Sequence, residues 1–272
     1  MKDLKRCAIH TATTKPWDLE TAIQKYAEAG VAGISVWKEA LGDRNPAAAG
    51  RLIREAGLSA VSLVRGGFFP AAEPGIRAQR IKENERLIRV AAALGAPLLV
   101  LVCGADPKVD IAEARLQVEA GIEAILPLAE AEGIKLAIEP LHPMYAGDRS
   151  VINTLAEANE LCERLRSSAL GVAVDLYHVW WDPTLEAQIA RSGRLDALMA
   201  FHVCDWKTPL LDLLEDRGLM GEGCIDIPRI RGWVEAAGFS GFVEVEIFSK
   251  RFWAMDQDLY LGMILDAFRE HV

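Results

Sequence analysis

The sequence predicts an α/β chain folded as a single-domain (β/α)8 TIM barrel over residues 1–272. Short β-branched apolar runs alternate with longer helical patterns from one end to the other, the signature of parallel βα units. Eight such units fit into 272 residues, and α/β barrels run to about 250 residues as one domain. No linker rich in Pro, Ser or Gly divides the chain. An open doubly wound sheet is the alternative, but no GxGxxG follows the first strand and there is no phosphate P-loop.

Taken in order, the first strand is read at Cys7–His10, with Leu19–Ala29 as its helix. Gly33–Val36 and Ser59–Val64 supply the second and third strands, and Arg77–Leu94 leads into a fourth at Leu98–Cys103. The long pattern Ile111–Ala131 precedes a fifth at Lys135–Glu139; Thr154–Leu165 precedes a sixth at Gly171–Asp175. Leu185–Arg191 then leads to a seventh at Ala197–Val203, and Pro228–Ala237 to an eighth at Phe242–Ile247. Gly30, Gly57, Gly95, Gly133 and Gly238 each close a helical pattern before a strand, where a left-handed stop is expected. The longest irregular stretch, Cys204–Asp226, follows the seventh strand, and long loops of this kind often carry function.

Half the residues are hydrophobic (51%) and a quarter charged (25%), a balance that supports a sizeable core and excludes disorder as the main state. Acidic residues outnumber basic ones, 39 against 30, for a net charge of −9. A chain that repels polyanions overall is not expected to bind nucleic acid. The N-terminus, MKDLKRCAIHTATTK, has no apolar core of a signal peptide, and the apolar run Val90–Ala105 is interrupted by Gly95 and Pro97, so no membrane segment is expected. Five widely spaced cysteines (Cys7, Cys103, Cys162, Cys204, Cys224) without a CxxC pair give neither a disulfide framework nor a thiolate zinc site, and point to a reducing cytoplasm.

In such a barrel the chemistry lies at the C-terminal ends of the strands. Four successive strands end in polar residues there: Glu139 on the fifth, Asp175 on the sixth, His202 on the seventh and Glu246 on the eighth. Three converging carboxylates would repel one another unless a cation sat among them. One divalent metal ion resolves the conflict. Oxygen-rich ligands with a single imidazole favour Mn²⁺, Mg²⁺ or Co²⁺, with Zn²⁺ also possible. Glu244 shares the parity of Glu246 and is expected one layer deeper, where it needs a partner. His10, at the end of the first strand, and Trp37, after the second, are candidates to touch substrate. Phe68, Phe69, Trp180, Trp181 and Trp206 also fall at or after strand ends and could wall a sugar pocket. His142, two residues past Pro140, joins the substrate-side candidates as loop support rather than as a ligand.

These residues carry a family resemblance. The segments AIEP (Ala137–Pro140), VDLYH (Val174–His178), FHVCDW (Phe201–Trp206), RGLMGEG (Arg217–Gly223) and VEVEIFS (Val243–Ser249) resemble the sugar phosphate isomerase/epimerase superfamily of xylose isomerase-like TIM barrels, which includes tagatose/psicose 3-epimerases, inosose isomerase and inosose dehydratase. The resemblance spans essentially the whole chain. It implies that Glu139, Asp175, His202 and Glu246 are the metal ligands and that His178 and Arg217 contact substrate oxygens. Glu139 and Glu246 would then be the catalytic base and acid of a metal-dependent isomerase or epimerase, acting on a sugar, keto-inositol or related polyhydroxy ketone through an enediolate. A dehydratase would use the same enediolate and expel a β-hydroxyl, so that reading stays open.

The resemblance also makes a homo-dimer or tetramer plausible and a small carbohydrate or polyol the expected partner. A non-catalytic sugar-binding barrel would be expected if the metal-binding quartet were incomplete, and it is intact. An endonuclease IV-like nuclease needs a histidine-rich trinuclear zinc site. This chain has five histidines (His10, His142, His178, His202, His271), none between residues 11 and 141. No phosphate-binding glycine run follows the last two strands, which favours a free sugar, keto-inositol or small keto acid over a sugar phosphate. Arg65, Lys207, Arg217 and Lys250 are nonetheless cations able to hold a phosphate.

Overall fold

The structure is a computed structural model describing residues 4–272; residues 1–3, the start of the N-terminal stretch read above for a leader, lie outside the described residues. Eight strands, β1 (Cys7–His10), β2 (Gly33–Trp37), β3 (Ser59–Gly67), β4 (Leu98–Val102), β5 (Lys135–Glu139), β6 (Leu170–Asp175), β7 (Leu198–Val203) and β8 (Val243–Val245), close in sequence order into one barrel. Every neighbouring pair is parallel, including β1 with β8. The helices are α1 (Leu19–Glu28), α2 (Lys38–Leu41), α3 (Pro46–Glu55), α4 (Pro74–Leu94), α5 (Ile111–Glu132), α6 (Leu155–Leu165), α7 (Leu176–Val179), α8 (Leu185–Arg194), α9 (Ile227–Ala236), α10 (Lys250–Trp253) and α11 (Gln257–His271). None among the described residues is long and apolar enough to cross a membrane.

Two cores follow from strand parity. Residues facing out, such as Ile9, Ile34, Leu99, Ile138, Val174 and Val203, pack against the helices in one large apolar layer. Inward-facing Val64, Leu98, Val100, Ala137, Ala173 and Ala200 fill the barrel itself. Successive inward positions are two residues apart, so these alanines stand directly below Glu139, Asp175 and His202. Their small side chains leave the upper barrel to the polar groups.

The strand assignments hold with shifted ends. β3 runs on to Gly67 and β2 includes Trp37, whereas β8 stops at Val245, so Glu246 lies just beyond it. Its backbone N–H still donates to the Val203 carbonyl at 3.1 Å, keeping Glu246 on the barrel rim. Gly30, Gly57, Gly95, Gly133 and Gly238 all have positive φ. Residues 204–226 contain no helix or strand and are tied down by bridges from Asp205 to Gly218 and from Asp216 to Ser249. Two further long helices complete the outer ring. α3 buries only Ala49, Gly50 and Ile53, too small a stripe to stand out as a period. α11 buries Tyr260, Leu261, Ile264, Leu265 and Phe268 at helical spacing.

Candidate active site

Glu139 ends β5, Asp175 ends β6, His202 is the penultimate residue of β7, and Glu246 follows β8. Sheet register aligns Asp175 with His202 and His202 with Glu244 across neighbouring strands. All four members of the quartet are buried, and each offers one ligand atom within 4.8 Å of the others. His10, His202 and Glu246 form a second, overlapping group of the same kind. His202 Nδ1 is 2.9 Å from Glu139 Oε1. Its Nε2 is buried without a hydrogen-bond partner among the described residues, with Glu244 Oε1 the facing carboxylate oxygen at 3.8 Å.

Glu244 is the hub one layer down. Its Oε2 accepts from Ser35 Oγ at 2.5 Å and Ser62 Oγ at 3.2 Å, and His10 Nε2 is 3.2 Å away. Register pairs His10 with Ser35 and Ser35 with Ser62, which sets these donors side by side on β1, β2 and β3. Burial pushes the Glu244 carboxyl up, but His202, His10 and Ser35 outweigh it and hold it below the usual carboxylate range. The carboxylate is therefore held toward its ionised form, with its hydrogen bonds gathered on Oε2. On its other nitrogen, His10 accepts from Trp37 Nε1 at 3.1 Å and lies 3.0 Å from Glu246 Oε1.

Arg217, from the long loop after β7, is 3% exposed. Its backbone N–H donates to the Phe248 carbonyl at 2.9 Å, which turns the side chain inward. One terminal nitrogen donates to Asp175 Oδ2 at 3.0 Å, to Glu246 Oε2 at 2.8 Å and to the Glu246 carbonyl at 3.2 Å. The other is 3.2 Å from His178 Nε2. The guanidinium lies over the Tyr177 ring at 4.4 Å and the Phe248 ring at 5.1 Å. Burial pushes the Asp175 carboxyl up to about 7, with Arg217 pulling it down and Glu246 and Glu139 raising it further. For Glu246 burial also acts upward, but His10 and Arg217 beside it hold the group well below the usual carboxylate range. His178 is driven well below the usual imidazole value by burial and by Arg217, so it is neutral and accepts at Nε2.

Above these groups lies a 110 Å³ cavity lined by Glu139, His178, Arg217, Glu246, Trp37 and Phe248, with Arg65, Tyr145 and Arg149 also on its wall. Five of the sequence-predicted residues therefore share this cavity: Glu139, Glu246, His178, Arg217 and Trp37. Asp175 and His202 adjoin it through the quartet. His10 sits beneath, between Glu244 and Glu246, and does not line the cavity. His142 does not line it either; its Nδ1 accepts from the Met144 N–H at 3.2 Å and its ring stacks on Trp206 at 5.2 Å. Of the aromatic candidates, Phe69 is a core residue, while Trp206 packs with Tyr177, Trp180 and His142.

Sequence reasoning missed Tyr145, Arg149 and Phe248 on the cavity wall, and Ser35 and Ser62 below it. The serines had a signal, being polar residues at inward positions of apolar strands. Tyr145 and Arg149 had none, because they belong to an irregular turn around Pro143–Tyr145.

The donor set fits a divalent cation. Three hard carboxylate ligands and one imidazole converge, and a His202 ligating through Nδ1 would leave its orphaned Nε2 as an N–H facing Glu244, the outer carboxylate that commonly orients a metal-bound histidine. Glu139, Asp175, His202 and Glu246 are the residues that could hold it.

Comparison with known proteins agrees with this architecture. The curated inosose isomerase of Halalkalibacterium halodurans is 24% identical over 197 residues, which covers 70% of this chain and 67% of that protein. The crystal structure of protein SMc04130 from Sinorhizobium meliloti 1021 superposes with a TM-score of 0.96 at 43% identity over 99% of both chains. A crystal structure of the IOLI protein with a binding zinc atom shares the fold, with a TM-score of 0.85 at 19% identity over 98% of both chains. Residues 23–270 match the family described as xylose isomerase-like TIM barrel. The barrel closure, the strand-end residues and this match over most of the chain agree with the resemblance carried by the sequence motifs: the protein belongs to the xylose isomerase-like TIM barrel family.

Proposed function

We propose that the protein is a divalent-metal-dependent isomerase or epimerase of a sugar, keto-inositol or related polyhydroxy ketone. The observation that carries this reading is that Glu139 and Glu246, each a candidate ligand, also line one cavity together with Arg217 and His178. The name of the inosose isomerase relative supports the same substrate class. Oxygen-rich donors favour Mn²⁺, Mg²⁺ or Co²⁺, and the zinc atom of the IOLI protein keeps Zn²⁺ in the set. When bound, the cation supplies Lewis acidity that lowers the pKa of a C–H beside a carbonyl.

The chain's own groups do the rest. Glu246, held ionised, takes the proton from carbon, and for an epimerase a protonated Glu139 delivers its own proton to the opposite face, the two carboxyls exchanging protonation state with solvent between turnovers. One carboxylate moving the proton between adjacent carbons serves an isomerase. Arg217 keeps a permanent positive charge at the cavity, where it stabilises negative charge building on substrate oxygen. His178 accepts from Arg217 at Nε2, so its unpartnered Nδ1 carries an N–H available to a substrate oxygen. Trp37 and Phe248, packed edge to face at 5.0 Å, present apolar surface to the C–H face of the substrate.

The test is exchange of substrate C–H for deuterium in heavy water, followed by NMR over a panel of ketoses and keto-inositols with Mn²⁺ added. Glu246→Gln should lower exchange by roughly 10²–10⁴-fold, the usual contribution of a positioned acid or base. Wild-type exchange in that variant removes Glu246 from the chemistry. A product that has lost water moves the assignment to a dehydratase.

A further inference from the structure

Two cations on the cavity wall have no role in proton transfer. Arg65, two residues before the end of β3, has no hydrogen-bond or ion-pair partner among the described residues, and its Nε is buried. Its guanidinium lies 5.5 Å from the Trp37 ring centroid and 4.9 Å from that of Phe68. Arg149, from the loop between β5 and α6, has only a 3.9 Å approach to its neighbour Asp148 and a 5.6 Å contact with the Tyr145 ring. Both line the 110 Å³ cavity. Burial and the nearby Arg149 charge lower the Arg65 pKa, while Glu39, Glu139 and Glu246 act on it through space in the opposite sense. Placing a second guanidinium beside the partly buried Arg65, which has no partner of its own among the described residues, costs free energy unless an anion joins them.

The carboxylates nearest the floor have partners of their own. On the function proposed above, the floor holds three carboxylates (Glu139, Asp175, Glu246), balanced by Arg217 and a doubly charged cation. Glu244 lies one layer down, bonded to Ser35, Ser62 and His10, and Glu215, also on the wall, pairs with Lys250 at 2.8 Å. Arg65 thus faces the cavity with no hydrogen-bond or ion-pair partner among the described residues, and Arg149 with only the 3.9 Å approach of Asp148. Arg65, Trp37 and Phe248 also line an adjoining 600 Å³ chamber, which gives a substituent room beyond the reacting carbons.

We propose that the substrate carries an anionic group, a carboxylate or a phosphate, held by Arg65 and Arg149 while its carbonyl end lies over Glu139 and Glu246. This deepens the isomerase or epimerase reading and rests on it for the placement of the reacting carbons.

Two readouts test it. The first needs no turnover: calorimetric titration of the Mn²⁺-loaded and the metal-free protein with inorganic phosphate and with malonate. Saturable binding of at least one anion in both forms is expected, weakened at least tenfold in Arg65→Met and in Arg149→Met and largely retained in Arg65→Lys. Selective phosphate binding identifies a phosphorylated substrate; selective malonate binding identifies a sugar or keto acid. No saturable binding of either, or equal binding in wild type and both Met variants, overturns the proposal. The second readout is the deuterium exchange assay, in which anionic ketoses should have at least tenfold higher kcat/KM than their neutral counterparts. Arg65→Met should erase that ratio, and a neutral ketose exchanged as fast as its anionic form overturns the proposal. Anion binding without C–H exchange on any substrate would remove the isomerase reading alone, whereas exchange without anion binding would remove the anion site alone.

Discussion

Glu244→Gln isolates the buried carboxylate beneath the site, because it keeps the shape of the side chain and removes its charge. Three donor groups meet Glu244 Oε2: Ser35 at 2.5 Å, Ser62 at 3.2 Å and His10 Nε2 at 3.2 Å. A glutamine keeps these contacts best with its carbonyl oxygen in that position, which turns the amide N–H₂ toward His202 Nε2, now 3.8 Å from Glu244 Oε1. Each bond to Oε2 then falls from a charge-assisted contribution of about 1.5–3 kcal/mol to a neutral one of about 0.5–1.5 kcal/mol. Three such losses amount to about 3 kcal/mol, or roughly 6–12 °C in Tm for a chain of this size. There is a second consequence. An amide donor at Nε2 leaves the proton of His202 on Nδ1, the nitrogen beside Glu139, so metal affinity should fall by about 10–100-fold. Calorimetric melting of the metal-free protein measures the first effect and chelator competition the second. A stability loss under about 1 kcal/mol with unchanged metal affinity would refute the account of Glu244 as an ionised hub.

Other expectations follow from the same geometry. His202→Ala should weaken Mn²⁺ binding at least tenfold more than His142→Ala, since His142 caps a turn and stacks on Trp206; the reverse order in chelator competition would overturn the ligand assignment. Gly67→Ala should lower stability by at least ~2 kcal/mol, because Gly67 has φ +97° and an added Cβ would lie 2.0 Å from the Val102 carbonyl oxygen. Urea denaturation reads that loss, and a shift smaller than about 1 kcal/mol would mean that the end of β3 moves aside freely.

The barrel was legible because its two periods are written in different residues. Strands such as Leu98–Val102 are uninterrupted apolar runs buried on both faces, which is how parallel strands read. Long helices were found where an apolar stripe was wide. α3 was overlooked because it packs through Gly50 and alanine, with a hypothetical Gly50 Cβ only 2.1 Å from the Leu94 carbonyl oxygen. Close backbone approach leaves no hydrophobic pattern to read. The ends of β3 and β8 were misplaced for a related reason: hydrogen bonding across the barrel, rather than composition, decides where a strand stops, and Glu246 remains bonded to Val203 beyond the assigned end of β8.

The site divides along the same physical line. Residues delivered by strands could be placed because parity and the C-terminal rim determine their direction, and Glu139, Asp175, His202, Glu244 and Glu246 all lie where that rule puts them. Residues delivered by loops could not. An arginine in the loop after β7 reads equally well as a surface ion pair, yet the bond from the Arg217 N–H to Phe248 folds it inward between Asp175 and Glu246. Three converging carboxylates need a cation among them, and the chain itself contributes one through Arg217. A monovalent guanidinium contacting two of those carboxylates leaves Glu139 and His202 facing each other at 2.9 Å on the other side of the site. On the proposed function, the strand-borne residues Glu139, Asp175, His202 and Glu246 would hold the divalent ion, while the loop-borne Arg217 would supply a fixed charge for substrate oxygen. On the anion-site proposal, substrate specificity would fall to two cations of different origin, Arg65 from β3 and Arg149 from the loop after β5.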